Sequence, residues 1–179
     1  MPNLMDLYNL IREQKNNPHV IYCDLDGVLV DFDKGYEELT GKPTHHADVQ
    51  DKQEFWNELY RGLKSKKISE KEYWEKLEWM PDGKLLYSYI KQYNPFILTA
   101  PSRNPESKIG KTEWVTKNLT GYKELLFAAA YKKPEYSQKN HILIDDRKQT
   151  IDSWIEKGGI GIHHTSALST IKELKKLSI

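Results

Sequence analysis

A doubly wound, Rossmann-like α/β fold with a mainly parallel sheet is what this sequence predicts, and three observations predict it. Five short apolar, β-branched runs recur along the chain, and helical spacings recur between them. The first run ends abruptly in two carboxylates and a glycine, as a buried parallel strand does where it leaves a sheet. The strand candidates are 19–23, 95–99, 125–129, 141–144 and 159–162, and helical patterns lie around 82–93, 107–119, 148–157 and 168–177. In open sheets of this kind ligands bind beyond the carboxyl ends of the strands.

With 179 residues the chain fits one domain with a modest insertion. The stretch 33–81 breaks the strand and helix rhythm: it is rich in charge and tryptophan, keeps helical spacing and contains no convincing strand. It reads as a small helical cap inserted into a core made of 1–32 and 82–179. Leu4, Leu7, Leu10 and Ile11 predict a short amphipathic helix that ends before 16–19. The lysine-rich runs 64–67 and 172–176 read as solvated helix faces.

Lys and Arg number 27 against 26 Asp and Glu, a net charge of +1, so no global field draws the chain onto nucleic acid or an anionic membrane. Any anion must be caught locally. Cys23 is the only cysteine and sits inside an apolar run, which predicts buried packing, no intramolecular disulfide and a reducing compartment. No basic segment followed by a long apolar stretch opens the chain, and no window approaches the roughly 18 apolar residues of a membrane span. The expectation is a soluble, cytoplasmic protein; self-association into a homodimer is left open.

The strongest chemical signal is the run from Asp24 to Asp31 directly after the first strand. Two carboxylates two residues apart point the same way and repel unless a cation or a shared proton intervenes. Gly27 then lets the backbone turn sharply. A second acidic pair, Asp145 and Asp146, stands at the exit of the fourth strand and is followed by Arg147. Carboxylates gathered in one place suit a hard cation such as Mg²⁺, which prefers oxygen ligands.

Asp24-Leu25-Asp26-Gly27-Val28 resembles the first motif of the haloacid dehalogenase-like phosphatases, an apolar strand followed by Asp-x-Asp-Gly. The resemblance implies that Asp24 is the nucleophile attacking phosphorus, and that Asp26 protonates the leaving oxygen and then activates water. It implies three further stations in order. Thr99, just past the second strand, would hold the phosphoryl oxygens with the following amides. Lys111 would neutralise charge between Asp24 and the phosphate, with Lys132 and Lys133 as less favoured candidates for that role or as contacts to another part of the substrate. The metal would take a side-chain oxygen of Asp24, the backbone carbonyl of Asp26 and a carboxylate of the acidic pair, Asp146 directly with Asp145 supporting it.

The match narrows to the 5'(3')-deoxyribonucleotidases (5' nucleotidase, deoxy, cytosolic type C), which combine Asp-x-Asp-Gly-Val-Leu-x-Asp-Phe, a Lys-x-x-Trp-Val helix and an Ile-Asp-Asp-Arg strand end. Here these are Asp24 to Phe32, Lys111 to Val115 and Ile144 to Arg147. The resemblance covers about 19–33 and 95–155 and fades in the cap. It departs at Ala100, where these enzymes often carry a serine, so one hydroxyl contact to phosphate is missing. It implies a Mg²⁺-dependent phosphomonoesterase that hydrolyses nucleoside monophosphates. A sugar-phosphate phosphatase, a polynucleotide 3'-phosphatase and a non-catalytic phosphate-binding module are the alternatives.

A cap would keep water from the reacting centre. Phe55, Trp56, Tyr60, Trp74 and Trp79 fall within it and mostly form its own small core, whereas Phe32, beside the first motif, is expected to stack on a planar base. The pairs His45 with His46 and His163 with His164 lack partners at metal-ligand spacing. The glycines at 158–161 precede a strand and so lack the dinucleotide fingerprint. The sequon at 118–120 is noise in a chain with no secretory signal.

Overall fold

The computed structural model describes residues 19–44 and 51–179. The helix predicted from Leu4 to Ile11 and the pair His45 and His46 lie outside the described residues. Five strands form one sheet: β1 Val20–Cys23, β2 Phe96–Thr99, β3 Glu124–Phe127, β4 His141–Asp145 and β5 Ile160–His163. Their order is β3-β2-β1-β4-β5, and every pairing is parallel. The predicted strands are therefore all present, shifted by at most two residues at their ends.

β1 is central because it is the most uniformly apolar run, and Ile21, Tyr22 and Cys23 are all buried. It pairs with β2 on one side and β4 on the other, with Cys23 level with both Ile97 and Ile144. The chain order reverses across β1, so this is the switch point at which an open α/β sheet leaves a crevice at its carboxyl edge. Cys23 is a buried free thiol whose Sγ donates to the Asp24 carbonyl at 3.3 Å; burial, with Asp24 second, holds it protonated well above the usual thiol range.

Seven helices of the described residues surround the sheet: α1 Phe32–Thr40, α2 Lys52–Lys66, α3 Glu70–Lys76, α4 Gly83–Ile90, α5 Glu106–Asn118, α6 Lys148–Glu156 and α7 Ala167–Lys176. 3-10 segments occupy Lys91–Tyr93 and Ala130–Tyr136. Side-chain caps start the first three helices: Asp31 accepts from the Lys34 amide, Asp51 from Glu54 and Ser69 from Glu72. Each satisfies one of the amide donors that a helix leaves open at its start.

Helices α1 to α3 fill the stretch in which the sequence shows no strand. The chain enters and leaves them side by side, since the Asp31 amide donates to the Glu78 carbonyl at 2.9 Å and the Met80 amide to the Leu29 carbonyl at 2.8 Å. Their apolar side chains are not a separate core. Phe32, Tyr36, Phe55, Leu59, Tyr73 and Trp74 join Ile21, Val28, Ile97 and Trp114 in one continuous buried cluster. His164, discounted as a metal ligand in sequence, is buried with its Nδ1 2.8 Å from Thr170 Oγ1, while the exposed His163 places Nε2 2.8 Å from the Asp146 carbonyl.

α3 crosses α5 at very close range, and a glycine makes it possible. A Cβ on Gly110 would lie 2.4 Å from the Lys71 carbonyl and 2.7 Å from Trp74 Cβ. Gly110→Ala must therefore push the helices apart and should lower unfolding free energy by about 1 to 3 kcal/mol, read from the midpoint of a denaturant titration. An unchanged midpoint would mean that the crossing yields freely.

Burial, more than any neighbouring charge, pushes the His164 imidazole below its ordinary pKa, with Asp82 opposing and His163 reinforcing the shift. The unfolded chain then takes up a proton near pH 6.5 before the folded protein does. Stability present above that pH is lost as pH falls through the depressed folded value. His164→Gln should flatten the fall in stability between about pH 7 and pH 5, which denaturant titrations at a series of pH values would measure.

Candidate active site

Two adjacent strands, β1 and β4, deliver the acidic groups to one edge of the sheet. Asp24 follows β1 with its amide still in the ladder, donating to the Ile144 carbonyl at 2.9 Å, and the same register carried one residue further sets Asp24 beside Asp145 at the end of β4. Past Asp24 the chain curls: the Leu25 carbonyl accepts from the amides of Leu29 and Val30, both at 2.9 Å, and Gly27 takes a positive φ of 73° that closes the turn. Gly27 is required there because a side chain is strained in that region. The curl brings Asp26 back over the strand end.

Two lysines enter this acidic centre. Lys133, only 1% exposed, lies 2.6 Å from Asp24 Oδ2 and 2.7 Å from Asp145 Oδ2. Asp24 Oδ1 also accepts from the Leu25 amide at 2.7 Å, and Asp145 Oδ1 from the Arg147 amide at 2.9 Å. Lys111, equally buried, reaches Asp26 Oδ2 and donates to Thr99 Oγ1 at 3.0 Å and the Ala100 carbonyl at 2.9 Å. Its ammonium stands 4.3 Å from the centre of the Trp74 ring.

Lys111, expected between Asp24 and the phosphate, pairs with Asp26. The ion pair to Asp24 comes from Lys133, because the segment that leaves the edge strand β3 must travel past β2 and β1 to reach β4. Thr99 is also placed differently from its expected role. It is fully buried behind Lys111, and the residues that face the cavity after β2 are Ala100 and Pro101. Lys132 is drawn aside, with its ammonium over the Tyr131 ring.

The electrostatics explain why a cation belongs here. Oxygens of Asp24, Asp145 and Asp146 come within 4.8 Å of one another. Asp24 and Asp145 share the single ammonium of Lys133, an expensive state for two buried carboxylates. Burial, with the neighbouring Asp24 charge, lifts the Asp145 carboxyl above its ordinary value, while Lys133 and the Arg147 amide pull it down. Burial alone would lower the Lys133 ammonium, but Asp145 and Asp24 outweigh it and hold the lysine charged well above its usual range. An all-oxygen donor set from Asp24, Asp145 and Asp146 fits a hard divalent ion. Asp26 Oδ1, buried and without a hydrogen-bond partner among the described residues, completes the polar wall.

Asp24, Asp26 and Lys133 open into one cavity, with Phe32 and Trp74 as its apolar side. Phe32 is buried and its ring stacks on Trp74, with centroids 5.1 Å apart and planes 18° from parallel. A hydrogen-bond network between segments distant in the chain holds that wall. Glu70 Oε1 accepts from Trp74 Nε1 at 3.1 Å and from the Ser102 hydroxyl, while Glu106 Oε2 accepts from the Glu70 amide at 3.1 Å. A buried carboxylate thus fastens α3 to the loop after β2. Its partners are far apart in sequence, so no local pattern announces the contact.

With this geometry in view, known structures are informative. A hydrolase from Streptococcus pneumoniae TIGR4 superposes with a TM-score of 0.52 at 14% identity, covering 89% of this chain and 99% of its own. A haloacid dehalogenase-like family protein from the same species gives 0.51 at 14% identity, over 86% and 90% of the two chains. A haloacid dehalogenase-superfamily hydrolase from Ehrlichia chaffeensis gives 0.50 at 15%, over 91% and 98%. The fold is the haloacid dehalogenase-like one. No protein-family profile and no curated protein matches the sequence.

If the acidic centre holds a divalent ion, Mg²⁺ must stabilise the folded chain. At about a hundred times the dissociation constant the gain is about 2.7 kcal/mol. Thermal unfolding should therefore shift upward with Mg²⁺ and return with EDTA, and Asp146→Asn should remove most of the shift. A melting temperature indifferent to Mg²⁺ would refute the site.

Proposed function

We infer that the chain is a Mg²⁺-dependent phosphomonoesterase working through an aspartyl-phosphate on Asp24, with residues 33–81 as a cap over its site. One observation carries this reading: Asp24, at the carboxyl end of the central strand, is bracketed by Lys133 and the acidic pair, and Asp26 faces the same cavity two residues on. The haloacid dehalogenase-like fold and the first motif support it, since hydrolases share both.

In the proposed reaction a phosphate dianion enters beside Asp24. A bound Mg²⁺ would offset charge on the phosphoryl oxygens, held by Asp24, Asp146 and Asp145 with the Asp26 carbonyl. Lys133 keeps the Asp24 carboxylate in place. An Asp24 oxygen attacks phosphorus as the ester oxygen leaves, and Asp26 gives that oxygen a proton. Oδ1 of Asp26, with no partner of its own, is the oxygen that can carry the proton while Oδ2 faces Lys111. Asp26 then takes a proton from water, which hydrolyses the aspartyl-phosphate and regenerates Asp24. Thr99 and the Ala100 carbonyl orient Lys111 from behind.

A nucleoside monophosphate is the substrate we favour, on the aromatic wall of Phe32 and Trp74. A sugar phosphate is the second reading, favoured by the way these two rings already cover each other. Phosphate release from nucleoside monophosphates, sugar phosphates and a 3'-phosphorylated oligonucleotide, with Mg²⁺ or EDTA, decides between them. Release should need Mg²⁺, vanish in Asp24→Asn and fall about 10²- to 10⁴-fold in Asp26→Asn. Normal turnover by either variant would sink the mechanism, and no release from any ester would leave a phosphate-binding module.

A further inference from the structure

The cavity over Asp24 measures about 100 Å³. Its lining runs from Asp24 and Asp26 to Lys52, Ala130 and Arg147 on the other side. A second cavity of about 230 Å³ adjoins the first and shares Lys52, Ala130 and Arg147 with it. Its remaining lining includes Tyr131, Gln149, Thr150 and Ser153, and no carboxylate among the described residues.

The chemistry of this outer cavity is cationic and hydrogen-bonding. Lys52 opens α2 and Arg147 precedes α6, so an ammonium and a guanidinium converge from two different elements, and neither is paired in an ion pair among the described residues. The start of α6 has no side-chain cap; the Thr150 and Ile151 amides turn back to the Arg147 carbonyl, and the earlier amides of the helix are left to an outside acceptor. Thr150 and Ser153 add hydroxyls. A fork of guanidinium donors beside a lysine suits a phosphate oxygen set better than a neutral sugar. Tyr131 is 80% exposed, a large aromatic surface at the rim.

Resting on the phosphatase reading, we propose that the outer cavity, built on Lys52, Arg147 and the first turn of α6, binds a second phosphate of the substrate. The substrate class is then a bisphosphorylated ester whose one phosphate reaches Asp24 while the other is held outside. Nucleoside and sugar bisphosphates share this chemistry, and the Tyr131 ring favours the nucleoside.

Binding can be measured without turnover. Calorimetry on Asp24→Asn with Mg²⁺ compares a nucleoside 5'-monophosphate, the matching 3',5'-bisphosphate, a hexose monophosphate and a hexose bisphosphate. The bisphosphate of one pair should bind at least about tenfold tighter than its monophosphate, as charge-assisted contacts to a second phosphate would give. Gln149→Glu, which adds a charge to the outer cavity alone and suits a helix start, should bring that ratio to within about twofold and leave monophosphate affinity unchanged. Lys52→Ala should shrink it as well. Tyr131→Ala should weaken only the nucleoside arm, and an advantage confined to the hexose pair would assign the subsite to sugar bisphosphates. Equal affinities within both pairs, or an advantage that survives both Gln149→Glu and Lys52→Ala, would overturn the subsite. Bisphosphate binding of the expected pattern, with no phosphate released by the wild type, would keep the subsite and remove the phosphatase reading.

Discussion

Lys133 stands between Asp24 and Asp145, and most of the site depends on it. A sheet that ends two adjacent strands in carboxylates creates a charge problem at the place where water is scarcest. Removing one partner from such a buried set costs about 3 to 5 kcal/mol, because the remaining charge is stranded. Lys133 offsets one negative charge and fixes the rotamers of two acids. The acidic cluster is therefore poised by design of the sheet register, with Cys23 level with Ile144 on β4 and Asp24 one residue beyond.

Much of this was legible in the sequence. The five strands announce themselves because a parallel sheet buries both faces and so needs unbroken apolar runs. The site announces itself because such runs have no reason to end in Asp24, Asp26 and Asp145 unless something binds there. The limits of α1 to α3 were not drawn from the helical stretch 33–81, although Asp31, Asp51 and Ser69 are residues that satisfy open amides.

What was not legible depends on strand order and on contacts between distant segments. Lys111 and Lys133 look alike in one dimension, and only the crossing from edge strand β3 to β4 decides which one meets Asp24. Thr99 ends its strand as expected, yet the single step from Thr99 to Ala100 moves from a buried hydroxyl to the cavity wall. Glu70 offered no signal, since an acidic residue in a helix's first turn is ordinary. Its burial against Ser102 and Trp74 appears only when the chain is folded.

That last contact divides the labour between the helices above the sheet. α3 is bonded to the loop after β2 through Glu70, to α5 through Glu106, and lies against it at Gly110 with no room for a methyl group. It belongs mechanically to the catalytic half of the molecule. α2 lines the same cavity with Lys52, Phe55 and Trp56 and reaches the loop after β2 through a hydrogen bond between Tyr60 and Ser102. Under the proposed function, variation at Lys52, Phe55 or Trp56 changes which ester is accepted while Glu70, Glu106 and Gly110 keep α3 aligned, whereas a change at Ser102 disturbs both helices at once.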